Sequence, residues 1–318
     1  MTQNRGFIPP MRRPGVLGIH SIDHFAIQVP DLEVARSFYD DFGLDVREEG
    51  NELGLYVQGQ AHRCARVTAG AAKRLSYISF GAYADDMPRF EQRLQELGVK
   101  RTDPPAGLES NGIWFRDPWG VLLEIKVAEK STPTEKAQVT STVVGPNQRG
   151  AYIRAETPRI RPRRFSHMLI FTPDPMAAIR FYSQAVGLRL SDEAGGAVAF
   201  MHGVHGSDHH LLALAPSSAP GLHHSSWDVS GTNEVGLGAM QMADKGHSRG
   251  WGLGRHVLGS NYFHYVRDPW GSYAEYSAEI DYVPVDQDWP EGHWDAENGF
   301  YLWGPVPPED FVVNYEVG

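Results

Sequence analysis

Residues 22–46, IDHFAIQVPDLEVARSFYDDFGLDV, align with residues 165–190, FSHMLIFTPDPMAAIRFYSQAVGLRL, when one residue is inserted before the Gly-Leu pair of the second copy. Both stretches carry His, Pro-Asp, Phe-Tyr and Gly-Leu in the same order. A second match follows without a gap, between IWFRDPWGVLLEI at 113–125 and HYVRDPWGSYAEY at 264–276. A repeat on this scale indicates two copies of one structural unit, so it constrains the fold before any local pattern does.

Each copy has the pattern of a strand, a helix and further strands. Ile22–Val29 reads as a strand, and Asp31 offers an N-cap for a helix over Leu32–Phe42. In the second copy Asp174 is the cap, and Pro175 takes the first helical position, which tolerates a missing N–H. A weaker strand–helix–strand unit follows in each half. Four βαβββ modules are therefore predicted, near residues 20–70, 75–127, 163–216 and 222–279.

These modules predict an α+β fold in which the modules pair into two domains with curved mixed sheets. The predicted divisions are an N-terminal tail (1–18), an N-terminal domain (19–128), a polar linker (129–164), a C-terminal domain (165–281) and a C-terminal tail (282–318). The basic run Arg159–Arg164 is expected to be a solvated face of the linker.

The C-terminal tail is rich in Trp and Tyr. A segment with so many aromatic side chains seldom stays exposed to water, so the tail is expected to cover the mouth of the C-terminal barrel or to pack against another subunit. Either arrangement would bury Trp289, Trp294 and Trp303.

Composition excludes several classes of function. A formal net charge of −10 argues against a nucleic-acid partner, because binding to phosphates depends on clustered Lys and Arg. No run of 18 apolar residues is present to span a membrane, and the N-terminus lacks the apolar centre of a signal peptide. The single cysteine, Cys64, excludes an intrachain disulfide and fits a reducing compartment. A cytoplasmic globular protein is predicted.

Superposing the halves by their repeat shows a chemical contrast. The first strand carries His24 in one half and His167 in the other, and the last strand carries Glu124 and Glu275. Where the C-terminal half has His224, within LHHSSW, the N-terminal half has a tyrosine, within LSYISF. Only the C-terminal half keeps two imidazoles and one carboxylate. That set holds Fe(II) and leaves adjacent coordination positions open.

We therefore predict that His167, His224 and Glu275 are metal ligands, whereas the incomplete set of the N-terminal half is structural. The ligands are 57 residues (167 to 224) and 51 residues (224 to 275) apart, which suits separate strands better than a helical zinc motif. His223 is the competing ligand, because neighbours on a strand point to opposite faces and a one-residue slip in the alignment would exchange it with His224.

At these residues the chain resembles the type I extradiol ring-cleaving dioxygenases of the vicinal-oxygen-chelate (glyoxalase/bleomycin resistance/dioxygenase) superfamily. The resemblance runs from about residue 19 to residue 282 and is carried by FSHMLIFTPD, GSDHHLLALAP, GLHHSSWDV, GRHVLGSNYFHY and DPWGSYAEY. It implies two vicinal-oxygen-chelate domains with the metal in the C-terminal one. It also implies a homo-oligomer that cleaves a substituted catechol with O₂ at one non-haem Fe(II), with Mn(II) as the other possible metal.

The resemblance also implies roles for further residues. His210, in DHHLLAL, matches the family's acid–base histidine, which takes a catechol proton and later returns it. His256 and Tyr265 match groups that donate hydrogen bonds to substrate and oxygen. Three other histidines are expected only at the rim of the pocket, namely His202, His205 and His209.

The chain departs from the family's pattern near its end. Members that act on homoprotocatechuate use arginines ahead of Gly-Arg-His and in the C-terminal loop. Here those neighbourhoods show Trp251 and Phe300-Tyr301, so a carboxylate clamp of that type is not expected.

Two other classes of function stay open at this point. One is another metalloenzyme of the superfamily, such as a glyoxalase, an epimerase or a 2-oxo-acid-dependent dioxygenase. A glyoxalase-like site needs four protein ligands, whereas only three can be placed in one half. The other class is a non-catalytic protein that binds an aromatic molecule on the same scaffold.

Overall fold

Two sheets with the same order of strands dominate the computed structural model, which describes residues 11–140 and 144–317. The predicted N-terminal tail and linker therefore lie partly outside the described residues, as does Gly318. The strands of the first sheet are β1 (Ser21–Val29), β2 (Asp45–Glu49), β3 (Glu52–Tyr56), β4 (Arg63–Ala69), β5 (Arg74–Ala82), β6 (Ile113–Arg116) and β7 (Leu122–Val127). Its helices are α1 (Leu32–Asp41) and α2 (Met87–Glu96), the latter preceded by a 3₁₀ turn at Ala84–Asp86.

The second sheet is larger than the first. Its strands are β8 (Arg164–Thr172), β9 (Arg189–Ala194), β10 (Val198–His202), β12 (Leu212–Pro216), β13 (Gly221–Asp228), β14 (Gly250–Arg255), β15 (Tyr262–Arg267), β16 (Tyr273–Ala278) and β18 (Gly292–Trp294). A separate pair is formed by β11 (Ser207–Asp208) and β17 (Tyr282–Val283). The helices are α3 (Pro175–Ala185), α4 (Thr232–Asp244) and α5 (Ala296–Gly299), and a 3₁₀ turn lies at Arg154–Glu156.

The strand orders confirm the α+β fold with two repeated domains. The first sheet runs β6-β7-β5-β1-β4-β3-β2, and the second contains β15-β16-β13-β8-β12-β10-β9 in equivalent places. The second sheet is extended by β14 at one edge and by β18 at the other. Because β17 and β18 belong to the predicted C-terminal tail, that tail pairs with the second domain.

One module differs from the predicted βαβββ pattern. After α2 the chain forms only β6 and β7, and the third strand is reduced to a single bridge between Arg101 and Phe115. Pro104 and Pro105 follow that bridge, and proline has no N–H to donate to a ladder.

The helix starts follow the capping residues of the repeat. Asp31 accepts hydrogen bonds from the backbone N–H groups of Glu33 and Val34, at 2.9 and 3.1 Å. Asp174 does the same for the N–H of Ala177 at 2.9 Å, with Pro175 at the first helical position. Both caps satisfy N–H groups that a helix leaves without partners.

The Gly-Leu pair of each copy lies where the two domains meet. Gly43 and Gly187 both have positive φ, +100° and +79°. A Cβ on Gly43 would lie 2.2 Å from the carbonyl oxygen of Ile160, and one on Gly187 would lie 2.5 Å from that of Leu17. Each glycine is therefore required both by its backbone conformation and by close packing against the segment that enters the other domain.

The repeated Arg-Asp-Pro-Trp-Gly motif is structural. The carboxylate of Asp117 accepts hydrogen bonds from the backbone N–H groups of Trp119 and Val121, which shapes the turn between β6 and β7. Asp268 does the same in the second domain. The other oxygen of Asp117 accepts the hydroxyl of Tyr182 from α3 at 3.1 Å. One continuous apolar core runs through both domains.

Two expectations about exposure are wrong. Arg164, in the basic run of the linker, pairs with Asp208 at 2.5 Å and lies near Asp228, because β8 already begins at this residue. In the tail, Trp294 and Trp303 are 47% and 43% exposed, whereas Trp289 is half-buried. None of the described helices is long and apolar enough to cross a lipid bilayer.

The Tyr182–Asp117 contact predicts a stability difference between two equivalent tyrosines. Tyr182→Phe should lower the free energy of unfolding by about 1–3 kcal/mol, because it leaves a buried carboxylate oxygen of Asp117 without its donor. Tyr39 occupies the equivalent position of α1 near the equivalent carboxylate, Asp268, but among the described residues Asp268 accepts from the backbone N–H groups of Trp270 and Ser272 and has no hydrogen bond with the Tyr39 hydroxyl. Tyr39→Phe is thus a matched control and should change stability by less than about 0.5 kcal/mol. Urea unfolding measures both, and equal losses would contradict this account.

Candidate metal centre

Three side chains from adjacent strands meet in the second domain. His167 is on β8, His224 on β13 and Glu275 on β16, and these strands are neighbours in the order β16-β13-β8. Ser226 is paired with both His167 and Glu275, so the three residues lie at one level across the sheet. His224, two residues before Ser226, faces the same side.

The three side chains bring their donor atoms close together. One ligand atom from each of His167, His224 and Glu275 lies within 4.8 Å of the other two. Glu275 Oε2 is 3.2 Å from His167 Nε2 and 3.6 Å from His224 Nε2, and all three residues are buried. No fourth His, Cys, Asp or Glu joins this group in the part of the chain that the structure describes.

A β-bulge separates His224 from its neighbour His223. Between Leu222 and His224 the pairing of β13 with β8 shifts by one residue, so His223 is the extra residue. Its ring packs against Phe311 and Phe171 and does not join the cluster. The shift follows from the repeat, because β5 has the same irregularity opposite β1. Bulges of this kind re-aim side chains beside sites.

The buried donor atoms of the cluster fit a cation. His224 Nε2 and Glu275 Oε2 are buried and have no hydrogen-bond partner among the described residues. Burial lowers the pKa of His224 well below its usual range, so its imidazole is neutral. Two neutral imidazoles and one carboxylate are ligands that Fe(II) and Mn(II) accept.

Hydrogen bonds orient the lone pair of His224. His223 Nε2 lies 2.7 Å from the carbonyl oxygen of Phe311, which can only accept, so His223 carries its proton on Nε2. His223 Nδ1, 2.7 Å from His224 Nδ1, must then accept the proton of His224 Nδ1. The Nε2 of His224 is therefore left unprotonated and points its lone pair into the cluster.

His167 has an equivalent arrangement. Ser166 donates its hydroxyl to Asp208 at 3.0 Å, and its oxygen lies 3.2 Å from His167 Nδ1. Since Ser166 uses its proton on the carboxylate, His167 Nδ1–H is the donor to Ser166. In a neutral ring, His167 Nε2 is then unprotonated, as metal binding would require.

His210 lies beside the cluster at the end of a second relay. Its ring centroid is 4.1 Å from that of His167. His209 Nε2 lies 2.6 Å from Asp192 and donates to it, and His209 Nδ1 lies 3.0 Å from His210 Nδ1. His210 therefore donates from Nδ1 and keeps a lone pair on Nε2. Burial lowers the pKa of His210 well below its usual range, so the ring is a neutral base.

His256 and Tyr265 lie on the other side of the cluster. Tyr265 is opposite Glu275 in the pairing of β15 with β16, and its ring centroid is 5.1 Å from that of His224. His256 Nδ1 lies 2.9 Å from the carbonyl oxygen of Phe300, and its Nε2 lies 3.0 Å from the Tyr265 hydroxyl. This network makes Tyr265 the donor and His256 the acceptor of the pair, whereas the sequence led us to expect two donors. Burial raises the pKa of Tyr265, which keeps the hydroxyl protonated.

The three histidines expected at the pocket rim have other contacts. His202 Nδ1 lies 2.7 Å from the hydroxyl of Ser191, and His205 Nε2 lies 3.1 Å from the carbonyl oxygen of Gly18. His209 is the one that touches the site, through His210. Sequence reasoning missed Asp192, the partner of His209, because Asp192 lies outside all of the motifs.

The tail covers this region of the second domain. Phe300 and Phe311 pack against Trp251, which itself stacks on Tyr265. The carbonyl oxygens of the same two phenylalanines accept the hydrogen bonds from His256 and His223. The tail therefore packs on the second domain beside the cluster, although Trp294 and Trp303 are more exposed than expected.

Comparison with known proteins extends this description. Metapyrocatechase 2 of Cupriavidus necator is 50% identical over 299 residues, 94% of this chain and 93% of that protein. The manganese-dependent 2,3-dihydroxybiphenyl 1,2-dioxygenase of Geobacillus genomosp. 3 is 24% identical over 90% of this chain and 94% of its own. Among solved structures, the Mn(II)-bound glyoxalase from Novosphingobium aromaticivorans superposes with a TM-score of 0.74 at 25% identity, covering 93% of this chain and 94% of that one.

The family profile described as Glyoxalase/Bleomycin resistance protein/Dioxygenase superfamily matches residues 21–125 and 164–276, one range in each domain. These two ranges are the two copies of the repeat, and they cover more than half of the chain. The alignment with the relative at 50% identity covers 94% of it. The protein therefore belongs to the glyoxalase/bleomycin resistance protein/dioxygenase superfamily.

Proposed function

We propose that this extradiol ring-cleaving dioxygenase binds one Fe(II) ion through His167, His224 and Glu275 and cleaves a substituted catechol with O₂. The observation that carries the proposal is the meeting of three buried donor atoms within 4.8 Å. The 50% sequence identity with metapyrocatechase 2 over nearly the whole chain supports a catechol as the substrate. The manganese-dependent relative supports Mn(II) as the alternative metal.

Held by His167, His224 and Glu275, an Fe(II) ion would supply the redox chemistry that couples a catechol to O₂. The protein supplies two neutral imidazoles and one carboxylate. It also surrounds them with buried side chains, which keeps water away from the reacting groups.

We assign the acid–base role to His210. A catechol hydroxyl must lose a proton to bind as a catecholate, and a neutral imidazole with a free Nε2 is a suitable acceptor. The relay to His209 and Asp192 favours that step, because the carboxylate stabilises the charge that His210 gains. The same nitrogen can return the proton when the product leaves.

His256 and Tyr265 have a different task. The Tyr265 hydroxyl is a protonated donor held by His256 Nε2 at 3.0 Å. Because that hydroxyl has one proton, we propose that Tyr265 turns it from His256 Nε2 to negative charge that develops on oxygen beside the cluster, while His256 positions the hydroxyl beforehand.

An apolar cavity of about 190 Å³ lies in the second domain; none of the three ligands lines it, but His223, the neighbour of His224, does. Leu169, two residues from His167 on β8, forms part of its wall, so the cavity begins about 7 Å along the strand from that ligand. Its lining residues are Leu169, Ala194, Ala197, Val198, Ala215, His223, Ala296, Phe300, Phe311 and Val312. We propose that it receives an apolar substituent on the catechol, because no Lys or Arg lines it to pair with a carboxylate.

We also propose that the enzyme works in the cytoplasm as a homo-oligomer. The only cysteine, Cys64, is buried and unpaired, as expected in a reducing compartment. The tail exposes Leu302 and Val306 at 62% and 82%, beside the half-exposed Trp303. Clustered apolar side chains of this kind often lie in subunit contacts.

The metal assignment predicts different results at equivalent histidines of the two domains. His224→Ala should abolish metal retention, because it removes one of three ligands. His24 occupies the position of His167 in the first domain, and His24→Ala should keep one metal per chain. Metal content is measured after anaerobic loading with Fe(II) and gel filtration. A His224→Ala variant that retained one equivalent would refute the assignment.

The acid–base assignment predicts a loss of turnover without a loss of metal. His210→Gln should retain the ion and reduce kcat by about 10²- to 10⁴-fold, the usual contribution of a positioned general base. His202→Gln, another buried histidine with its own hydrogen bond, is the matched control and should keep most activity. O₂ uptake and formation of the yellow ring-cleaved product give the rates, and near-normal turnover by His210→Gln would contradict the role.

The cavity predicts a change of substrate preference. Ala215→Leu should fill part of it and lower kcat/KM for alkyl- or aryl-substituted catechols by about 10-fold or more, since a single methylene group more or less in a hydrophobic pocket changes kcat/KM by about 10- to 200-fold. Unsubstituted catechol should be little affected. Ala215→Ser, which nearly conserves volume, controls for local disturbance. A uniform loss for all substrates would disprove the proposed location of the substituent.

A further inference from the structure

The last residues of the chain are tied to both domains through one carboxylate. We call residues 310–317 the C-terminal latch. Within it, Glu316 is buried beside Lys73 of the first domain, with Nζ and Oε1 2.5 Å apart. Glu316 Oε1 also accepts the backbone N–H of Leu222 at 2.9 Å, and Oε2 accepts that of Leu75 at 2.8 Å.

The two leucines are equivalent positions of the repeat. Leu222 begins the bulge that contains His223 in β13, and Leu75 begins the same bulge in β5. Glu316 therefore gives one oxygen to each bulge and joins equivalent positions of the two domains. Lys73 adds a hydrogen bond to the carbonyl oxygen of Leu222 at 3.2 Å. The latch thus restrains the backbone one residue before His223 and two before His224.

The latch also contacts the bulge residue directly. Phe311 accepts the proton of His223 Nε2 through its carbonyl oxygen, and its ring centroid lies 4.8 Å from that of His223. His223 is 4% exposed and does not join the cluster. The hydrogen bonds to Phe311 and to His224 use both of its ring nitrogens.

From these contacts we infer that His223 and the C-terminal latch are positioning elements for the metal ligand His224. The inference rests on the proposed metal site. His223 accepts the Nδ1 proton of His224 and so holds both its tautomer and its ring orientation. The latch holds His223 in turn, through the Phe311 carbonyl and the backbone at Leu222.

The physical reason is the position of the His224 proton. Without an acceptor at Nδ1, the ring can rotate about χ2 or carry its proton on Nε2, and either change removes a lone pair from the cluster. Loss of such an outer hydrogen bond typically weakens metal binding by about 10- to 100-fold.

His223→Leu and His223→Gln separate this role from simple packing. Leucine fills similar space and cannot accept a hydrogen bond, so we expect Mn(II) to bind about 10- to 100-fold more weakly. Glutamine can accept from His224 with its carbonyl oxygen and donate to Phe311 with its amide, so it should restore most of the affinity. The free Mn(II) signal in electron paramagnetic resonance titrations measures the dissociation constant of the metal alone, without turnover.

The latch is tested by the double variant Lys73→Met/Glu316→Gln, which removes the ion pair without leaving one charge buried. It should weaken Mn(II) binding in the same direction as His223→Leu, though less. Glu309→Gln makes the same chemical change at an exposed position of the tail and should bind Mn(II) as the wild type does. Tyr182→Phe, destabilised far from the site, should also bind normally.

The outcomes are distinguishable from failure of the metal site itself. If the wild type bound no Mn(II), or His224→Ala bound it equally well, the proposed function would fail. If the wild type bound one equivalent and His223→Leu bound it as tightly, only the positioning role would be overturned. Equal weakening in His223→Leu and His223→Gln would also overturn it, because packing alone would then account for the loss.

Discussion

A carboxylate that is completely buried needs a partner of opposite charge or a full set of hydrogen bonds, since an isolated ionised group is expelled from a protein interior. Glu275 has neither on its Oε2, which faces two neutral imidazole nitrogens at 3.2 and 3.6 Å. A divalent cation between these atoms satisfies the carboxylate and both lone pairs at once. The neighbouring strands β8, β13 and β16 bring the carboxylate and the two imidazoles close enough together to meet that need.

The first domain solves the same problem without a metal. Its glutamate, Glu124, accepts the hydroxyl of Ser79 at 2.5 Å and that of Ser110. The tyrosine that replaces the second imidazole, Tyr77, places its hydroxyl 3.0 Å from His24 Nε2. Every group that would bind an ion therefore has a hydrogen bond instead. The two domains share a scaffold and a bulge, and where the second domain has His224 in the proposed metal site, the first domain has Tyr77 in a closed hydrogen-bonded cluster.

The repeat explains why so much could be predicted from the sequence. Strands, helix caps and the ligand set follow from local patterns that occur twice, and comparing the copies exposed the one position where they differ. The bulge at His223 could not be predicted, because it depends on pairing with a strand more than fifty residues away. Asp192 and the Phe311 carbonyl were missed because neither lies in a matched motif: Asp192 follows the aligned stretch 165–190, Phe311 belongs to the tail, and a backbone carbonyl leaves no mark in a sequence. A third strand after α2 was wrongly expected, because the effect of Pro104 and Pro105 on the hydrogen bonds between strands was not taken into account.

The tail was expected to bury its tryptophans, and the structure indicates a more specific use for them. Both histidine relays end on groups that the tail supplies or holds. His223 reaches the carbonyl oxygen of Phe311, whereas His209 reaches Asp192, which also accepts the indole N–H groups of Trp289 and Trp294 at 3.3 and 2.7 Å. An indole can make such a bond from the rim of the domain with much of its ring in water, which is why Trp294 stays exposed. The proposed metal ligand His224 and the proposed base His210 are thus oriented from the same segment, so we expect a displacement of the tail to disturb metal binding and proton transfer together. A tail that only shielded this region from water would not need to form hydrogen bonds with both histidine relays.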